Sequence, residues 1–177
     1  RFQIRGGMIS AVDLLNGIGV YAGLEVISVP GATGYIDTNY LGKAERAVAA
    51  LENLDLVFVH VEAPDEMGHE GNIEGKVRAI EDFDKKVVGT VLQSMDHRKP
   101  YRIMVLSDHP TPISKKTHVG DPSPFVVLSS QESENLNGNW TFSESAAART
   151  GNIISPGFLL IENFIGNWRN FVRKNPD

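Results

Sequence analysis

Eight residues, Leu54-Asp55-Leu56-Val57-Phe58-Val59-His60-Val61, limit the choice of fold more than any other stretch. The run is apolar and β-branched, broken only by Asp55 and His60, and too continuous for a strand with one face in water. It reads as a central strand covered on both faces. Such a strand needs helices on either side, and its flanks supply the patterns. From Tyr40 to Leu51 the residues Leu41, Ala44, Val48 and Leu51 recur at steps of three and four. From Ile73 to Leu92 a stripe of Ile73, Val77, Ile80, Val87, Val88 and Val91 excludes Glu74, Arg78, Glu81 and Lys85. Further strands are expected at Leu24–Val29, ending at Pro30-Gly31, at Tyr101–Leu106 and at Phe125–Leu128. Residues 8–22, with Met8, Ile9, Val12, Leu15, Ile18 and Val20, read as a helix weakened by Gly17 and Gly19. Gly157–Trp168 reads as a closing helix, residues 62–72 as a polar loop and residues 131–152 as a polar excursion. Alternating strands and helices imply an α/β fold, three-layer α/β/α with a mostly parallel sheet, in which ligands gather outside the carboxyl ends of the strands.

Composition narrows the function classes. The chain has 177 residues, enough for one domain with its own core. Lys plus Arg number 17 against 22 Asp plus Glu, so the charge of −5 argues against a broad nucleic-acid footprint. The apolar run at 54–61 is far short of the roughly 20 residues that cross a bilayer, so no membrane span is expected. Without cysteine there are neither disulfides nor thiolate metal sites, which accords with a reducing, cytoplasmic setting. The opening Arg1-Phe2-Gln3-Ile4-Arg5-Gly6-Gly7 has no initiator Met and no signal-peptide core, as expected of a piece of a longer chain.

Five histidines stand at 60, 69, 97, 109 and 118. Asp65 and His69 form Asp-x-x-x-His just after the run ending at Val61, where a compact turn or helix start would aim both side chains one way. Asp108-His109 follows the strand through Leu106, and His118 precedes the strand at Phe125. Any one of these, taken alone, is more often a solvated or capping residue. Their combination at successive strand ends points to a shared metal site, because imidazole and carboxylate suit Zn²⁺ and Mn²⁺ without sulfur. Two ions about 3.5–4 Å apart stabilise both the attacking and the leaving oxygen in displacement at phosphorus, so a phosphate ester is the expected substrate class. His97, beside Arg98 and Lys99, reads as a polar helix terminus, and His60 as either a satisfied core histidine or a partner behind a metal ligand. A dinuclear site needs about six to eight donor groups, less those that bridge, and only five candidates are present. No convincing nucleophile accompanies them: Ser107 points away from Asp108 by alternation, and Ser10 falls on an expected helix.

The order Asp65, His69, then Asp108, His109, then Thr117-His118 followed by Pro122, Pro124 and Phe125 resembles the metal-binding half of the alkaline phosphatase superfamily. The stretches from Pro30 to Thr38 and from His60 to Asn72 are similar to the archaeal-type cofactor-independent phosphoglycerate mutases within it, and the likeness covers most of residues 5–165. The resemblance implies two divalent ions, Mn²⁺, Mg²⁺ or Zn²⁺, and a serine transiently phosphorylated while the phosphoryl group moves between the 2- and 3-positions of glycerate. It implies that Asp65, His69 and His118 hold one ion and that Asp108 and His109 hold the other. The nucleophilic serine and a further Asp belong to the family's N-terminal part, which has no match here. Residues 1–177 are accordingly expected to be the C-terminal part of a metal-dependent phosphomutase, inactive alone and partnered by the missing N-terminal segment. Arg5, Lys115 and Lys116 are candidates to grip a phosphoglycerate, weighed against a solvated surface role. A phosphomonoesterase, another phosphotransferase of the superfamily and a non-catalytic metal-binding fragment stand as alternatives. Labels such as phosphonopyruvate decarboxylase or homoserine kinase, carried by relatives of the group, are weaker ones.

Overall fold

The computed structural model describes residues 2–98, 100–131 and 141–166. The described chain falls into two units, the first containing residues 3–98 and 111–119, the second containing 100–110 and the described residues from 120 onward.

In the first unit the order is β1 (Gly6–Ile9), α1 (Asp13–Tyr21), β2 (Glu25–Val26), α2 (Tyr40–Ala50), β3 (Leu56–Val59), α3 (Ala63–Glu70), α4 (Ile73–Phe83) and α5 (Gly89–Met95). Strands β2, β1 and β3 pair in that order, all parallel, with Gly7 opposite Glu25 and Val57. The pleat of β1 sorts the helices. Ile9 packs with Val29, Ala47 of α2 and Val57, while Met8, on the opposite face, meets Gly19 of α1. Helices therefore cover both faces of the sheet, as the three-layer reading required. A second buried group, Tyr40, Ala44, Ala63, Ala79 and Val87, joins α2 to α3, α4 and the residues beyond.

Several local expectations need correction. Among the described strands the one buried along its whole length is β1, whose Met8 and Ile9 fall where a helix is expected, and β3 leaves Phe58 partly exposed. Helix α1 starts only at Asp13, so Ser10 stands in the turn after β1. The misreading has a cause. Gly6 and Gly7 carry no hydrophobic signal, yet a Cβ on Gly7 would come within 2.6 Å of Ile27 and 2.9 Å of Leu54. Residues 63–70, expected as loop, form α3, begun by Pro64 in its first turn and closed by Gly71 in the left-handed conformation. The long helix from Ile73 is present but changes pitch through one π-helical turn, Asp84–Val88, before α5. Its expected stripe divides: Ile73, Val77 and Ile80 are exposed, with Gly75 and Ala79 buried in their place, whereas Val87 is buried and Val91 packs against the same core. Small residues there let α3 approach, with Met67 against Gly75. Asn39 and Asn72 cap α2 and α4 by accepting the Gly42 and Gly75 N–H groups at 2.9 and 2.8 Å.

In the second unit β4 (Arg102–Leu106) pairs with β5 (Phe125–Ser129) antiparallel, Met104 opposite Val127, so these two strands depart from the parallel pattern. Helices α6 (Glu144–Arg149) and α7 (Leu159–Ile165) follow. The expected excursion and closing helix also include residues 132–140, 167 and 168, which lie outside the described residues.

Candidate functional site

Helix α3 follows β3 directly, so its residues sit at the carboxyl end of the parallel strands. Asp65 and His69, one helical turn apart, share a face of α3, with His69 Nε2 3.2 Å from Asp65 Oδ2. Residues 111–119 return to this face. His118 Nε2 lies 3.0 Å from His69 Nε2 and 3.5 Å from Asp65 Oδ1, and the two imidazole rings are 4.9 Å apart and tilted by 59°. Thr111, which sequence reasoning missed, is buried and donates its hydroxyl hydrogen bond to Asp65 Oδ1. The Lys76 ammonium of α4 donates to the Thr111 carbonyl at 2.6 Å.

Proton bookkeeping shows what the cluster can accept. His69 Nδ1 faces the Lys116 carbonyl oxygen at 3.1 Å, an acceptor only, so Nδ1 carries the hydrogen. In the neutral ring Nε2 then presents a lone pair to the Asp65 carboxylate and to His118 Nε2. A proton or a cation has to sit among these three groups. An imidazole whose far nitrogen donates to a backbone carbonyl while its near nitrogen faces a carboxylate is oriented as metal-ligating histidines usually are. Two nitrogens and a carboxylate are donors that suit Zn²⁺ or Mn²⁺. Lys116 adopts a left-handed backbone, φ 54°, and thereby contributes its carbonyl, while its side chain is exposed.

A second network lies at the same edge of the sheet, with a Glu62 oxygen within 4.8 Å of an Asp65 oxygen. His60 Nδ1 is 3.1 Å from Ser10 Oγ, and His60 Nε2 is 3.1 Å from Glu62 Oε2. Ser10 Oγ also accepts the Val12 N–H at 3.0 Å. Beneath lies Lys43, fully buried on α2, whose ammonium donates to the His60 carbonyl at 3.0 Å. Burial pushes the Lys43 ammonium down to about 8, with the Glu62 carboxylate pulling it back up. The loop before α2 ties to the far end of α3, where the Tyr35 hydroxyl donates to Glu70 at 2.8 Å. That bond to Glu70 is the main reason the Tyr35 hydroxyl is held above its usual range, with partial desolvation adding to it.

Asp108 and His109 stand together after β4 in the second unit, His109 Nε2 3.3 Å from Asp108 Oδ2, with the Asp108 carboxylate mostly exposed. Arg5 lies at the amino end of β1, where its backbone N–H donates to Asp55 at 2.8 Å and its guanidinium is 3.8 Å from the same carboxylate. It is therefore at the end of the sheet opposite to Asp65. Lys115 and His97 are exposed, His97 just beyond α5.

Fold and donor set together define an α/β protein, alkaline phosphatase-like in its class, with a nitrogen- and oxygen-donor cluster at its strand ends. Residues 1–155 match the family described as Metalloenzyme superfamily, and the chain belongs to it. It is 53% identical over 162 residues to the probable 2,3-bisphosphoglycerate-independent phosphoglycerate mutase of Geobacter sulfurreducens, covering 92% of this chain and 40% of that protein. It is 63% identical over 123 residues to the 2,3-bisphosphoglycerate-independent phosphoglycerate mutase of Methanosarcina acetivorans, covering 69% and 31%. The solved structure of PH0037 protein from Pyrococcus horikoshii superposes with a TM-score of 0.76 at 30% identity, over 84% of this chain and 44% of that one. The chain thus spans between about a third and somewhat under half the length of these relatives.

Proposed function

We propose that the protein to which these residues belong is a metal-dependent phosphoglycerate mutase that needs no bisphosphoglycerate, and that this chain supplies its metal-binding C-terminal part. The reading rests above all on His69, whose Nδ1–H is committed to the Lys116 carbonyl while Nε2 is aimed at Asp65 and His118. The names of the relatives, at 53–63% identity, add the substrate class. In this proposal Asp65, His69 and His118 hold one divalent ion, Asp108 and His109 belong to a second, and the nucleophilic serine lies in sequence outside these residues. Bound ions lower the pKa of a serine hydroxyl and neutralise phosphate charge, so that phosphoryl transfer to serine and back to the other glycerate oxygen becomes accessible. The residues present orient the donors, and the side chains of Lys115 and Lys116 offer positive charge beside His118 for an anionic substrate. In this reading Arg5, paired with Asp55 at the amino end of β1, takes no part in that grip. Exclusion of water from the phosphoenzyme separates a mutase from a phosphatase. The cysteine-free composition is in keeping with a cytoplasmic setting, and no helix among the described residues is long and apolar enough to cross a membrane.

The test uses the full-length protein with 3-phosphoglycerate and Mn²⁺, following 2-phosphoglycerate and free phosphate together. Conversion without matching phosphate release, abolished by a chelator, is the expected result. Phosphate release without 2-phosphoglycerate would replace the mutase with a phosphomonoesterase.

A further inference from the structure

Thr111 and Lys76 stand in neither the sequence motifs nor the proposed donor set, yet Thr111 is bonded to Asp65 and Lys76 to Thr111. Thr111 is 3% exposed, and its hydroxyl donates to Asp65 Oδ1, leaving Oδ2 as the oxygen turned toward His69. Its carbonyl accepts the Lys76 ammonium at 2.6 Å. Gly68, between Met67 and His69 on α3, makes room for that carbonyl: a Cβ there would lie 2.6 Å from the Thr111 oxygen and 2.9 Å from Lys76 Nζ. One buried residue therefore does two things. It orients a carboxylate on α3, and it pins the start of the segment that brings the Lys116 carbonyl to His69 and the His118 ring to Asp65.

We propose that Thr111, clamped by Lys76, is a positioning residue that sets the affinity of the Asp65, His69 and His118 cluster for a divalent cation. The inference rests on the metal-site reading above. A carboxylate held by a hydroxyl loses less freedom when it binds a cation, and a segment already docked brings its imidazole at no further entropic cost. Linkage makes the effect mutual: whatever binds the cluster also holds residues 111–119 against α3.

Divalent-ion affinity of the full-length protein, measured with Zn²⁺ and with Mn²⁺ by competition against a chromogenic chelator, tests this directly. Thr111→Val keeps the shape and removes the donor. It should weaken one of the bound ions by roughly 10- to 100-fold, the range seen when partners behind metal ligands are lost. Thr111→Ser restores the hydroxyl and should return affinity to within about threefold, while Lys76→Met, which releases the carbonyl, should weaken it by several fold. The melting temperature of the metal-free protein separates fold from site: a purely structural Thr111 would lower it in Val and Ser variants without this split in affinity. Should Thr111→Val fail to fold, Thr111→Ser and Lys76→Met decide. Parental affinity in Lys76→Met, or no recovery in Thr111→Ser, overturns the proposal. His118→Ala is the control: if it loses an ion while Thr111→Val binds normally, the positioning role fails and the site stands. If His118→Ala also binds normally, the site reading itself has failed.

Discussion

His60 and His69 each have a carboxylate oxygen close to Nε2, Glu62 at 3.1 Å and Asp65 at 3.2 Å, and both belong to the carboxyl edge of the same sheet. They differ in what faces Nδ1. The Glu62 carboxylate can only accept, so His60 Nε2 carries the hydrogen, and Nδ1 of the neutral ring accepts the Ser10 hydroxyl, whose oxygen also takes the Val12 N–H. Both ring nitrogens of His60 are thereby matched. His69 faces a carbonyl, which can only accept, so the electron pair of its neutral ring is turned toward Asp65 and a second imidazole. A histidine and a carboxylate at hydrogen-bond distance thus form a matched network in one case and, in the other, one whose ring nitrogens both face acceptors, and a single atom behind the ring makes the difference.

The largest expected effect strikes the open cluster. Asp65→Ala or His118→Ala should cost at least about 100-fold in divalent-ion affinity, since loss of a ligand exceeds loss of its outer partner. His60→Asn should change that affinity by less than about threefold; an equal loss would erase the distinction between the two networks. Next comes Gly68→Ala, whose new methyl would push the Thr111 carbonyl away and weaken ion binding by about tenfold, read from the same competition titration.

The closed network should answer to pH and denaturant instead. Lys43 titrates near 8 when folded, below its usual 10.5, so between about pH 8 and 10 the folded state has released a proton that the unfolded chain keeps. The destabilisation caused by burying the charge is fully present below pH 8, and stability rises through this window by up to about 3 kcal/mol. Tyr40, whose hydroxyl is raised mainly by burial, acts in the opposite direction only above pH 10. Urea unfolding at a series of pH values should show the rise, and Lys43→Met should flatten it. An unchanged slope in Lys43→Met would mean that another group titrates. Smallest of all, Ser10→Ala removes one partner each from His60 and the Val12 N–H and should cost about 1–2 kcal/mol in the same measurement, with metal affinity untouched.

The donors of the open cluster were legible because their residue types and spacing carry the chemistry: Asp65 and His69 fall four apart, and His118 follows a strand-ending Asp108-His109. Lys43 and Thr111 were not. A lysine inside an amphipathic helix pattern reads as solvated, and nothing local to α2 says that the His60 carbonyl will be waiting for its ammonium. Thr111 sits in a Pro-Thr-Pro loop, where a threonine normally faces water. The exposed stripe on α4 was misjudged for the same reason. Periodicity locates a face but not its direction, and close contact with α3 through Gly75 chose the small-residue side.

By itself, the sequence determined which stretches could be strands or helices and which atoms were available as donors, because hydrophobic period, caps and functional groups belong to short segments of chain. Only the tertiary structure decided which donors meet, which way each imidazole is turned and which charge is buried. Those outcomes depend on contacts between residues as much as 53 positions apart, such as His118 with Asp65, that no local pattern encodes.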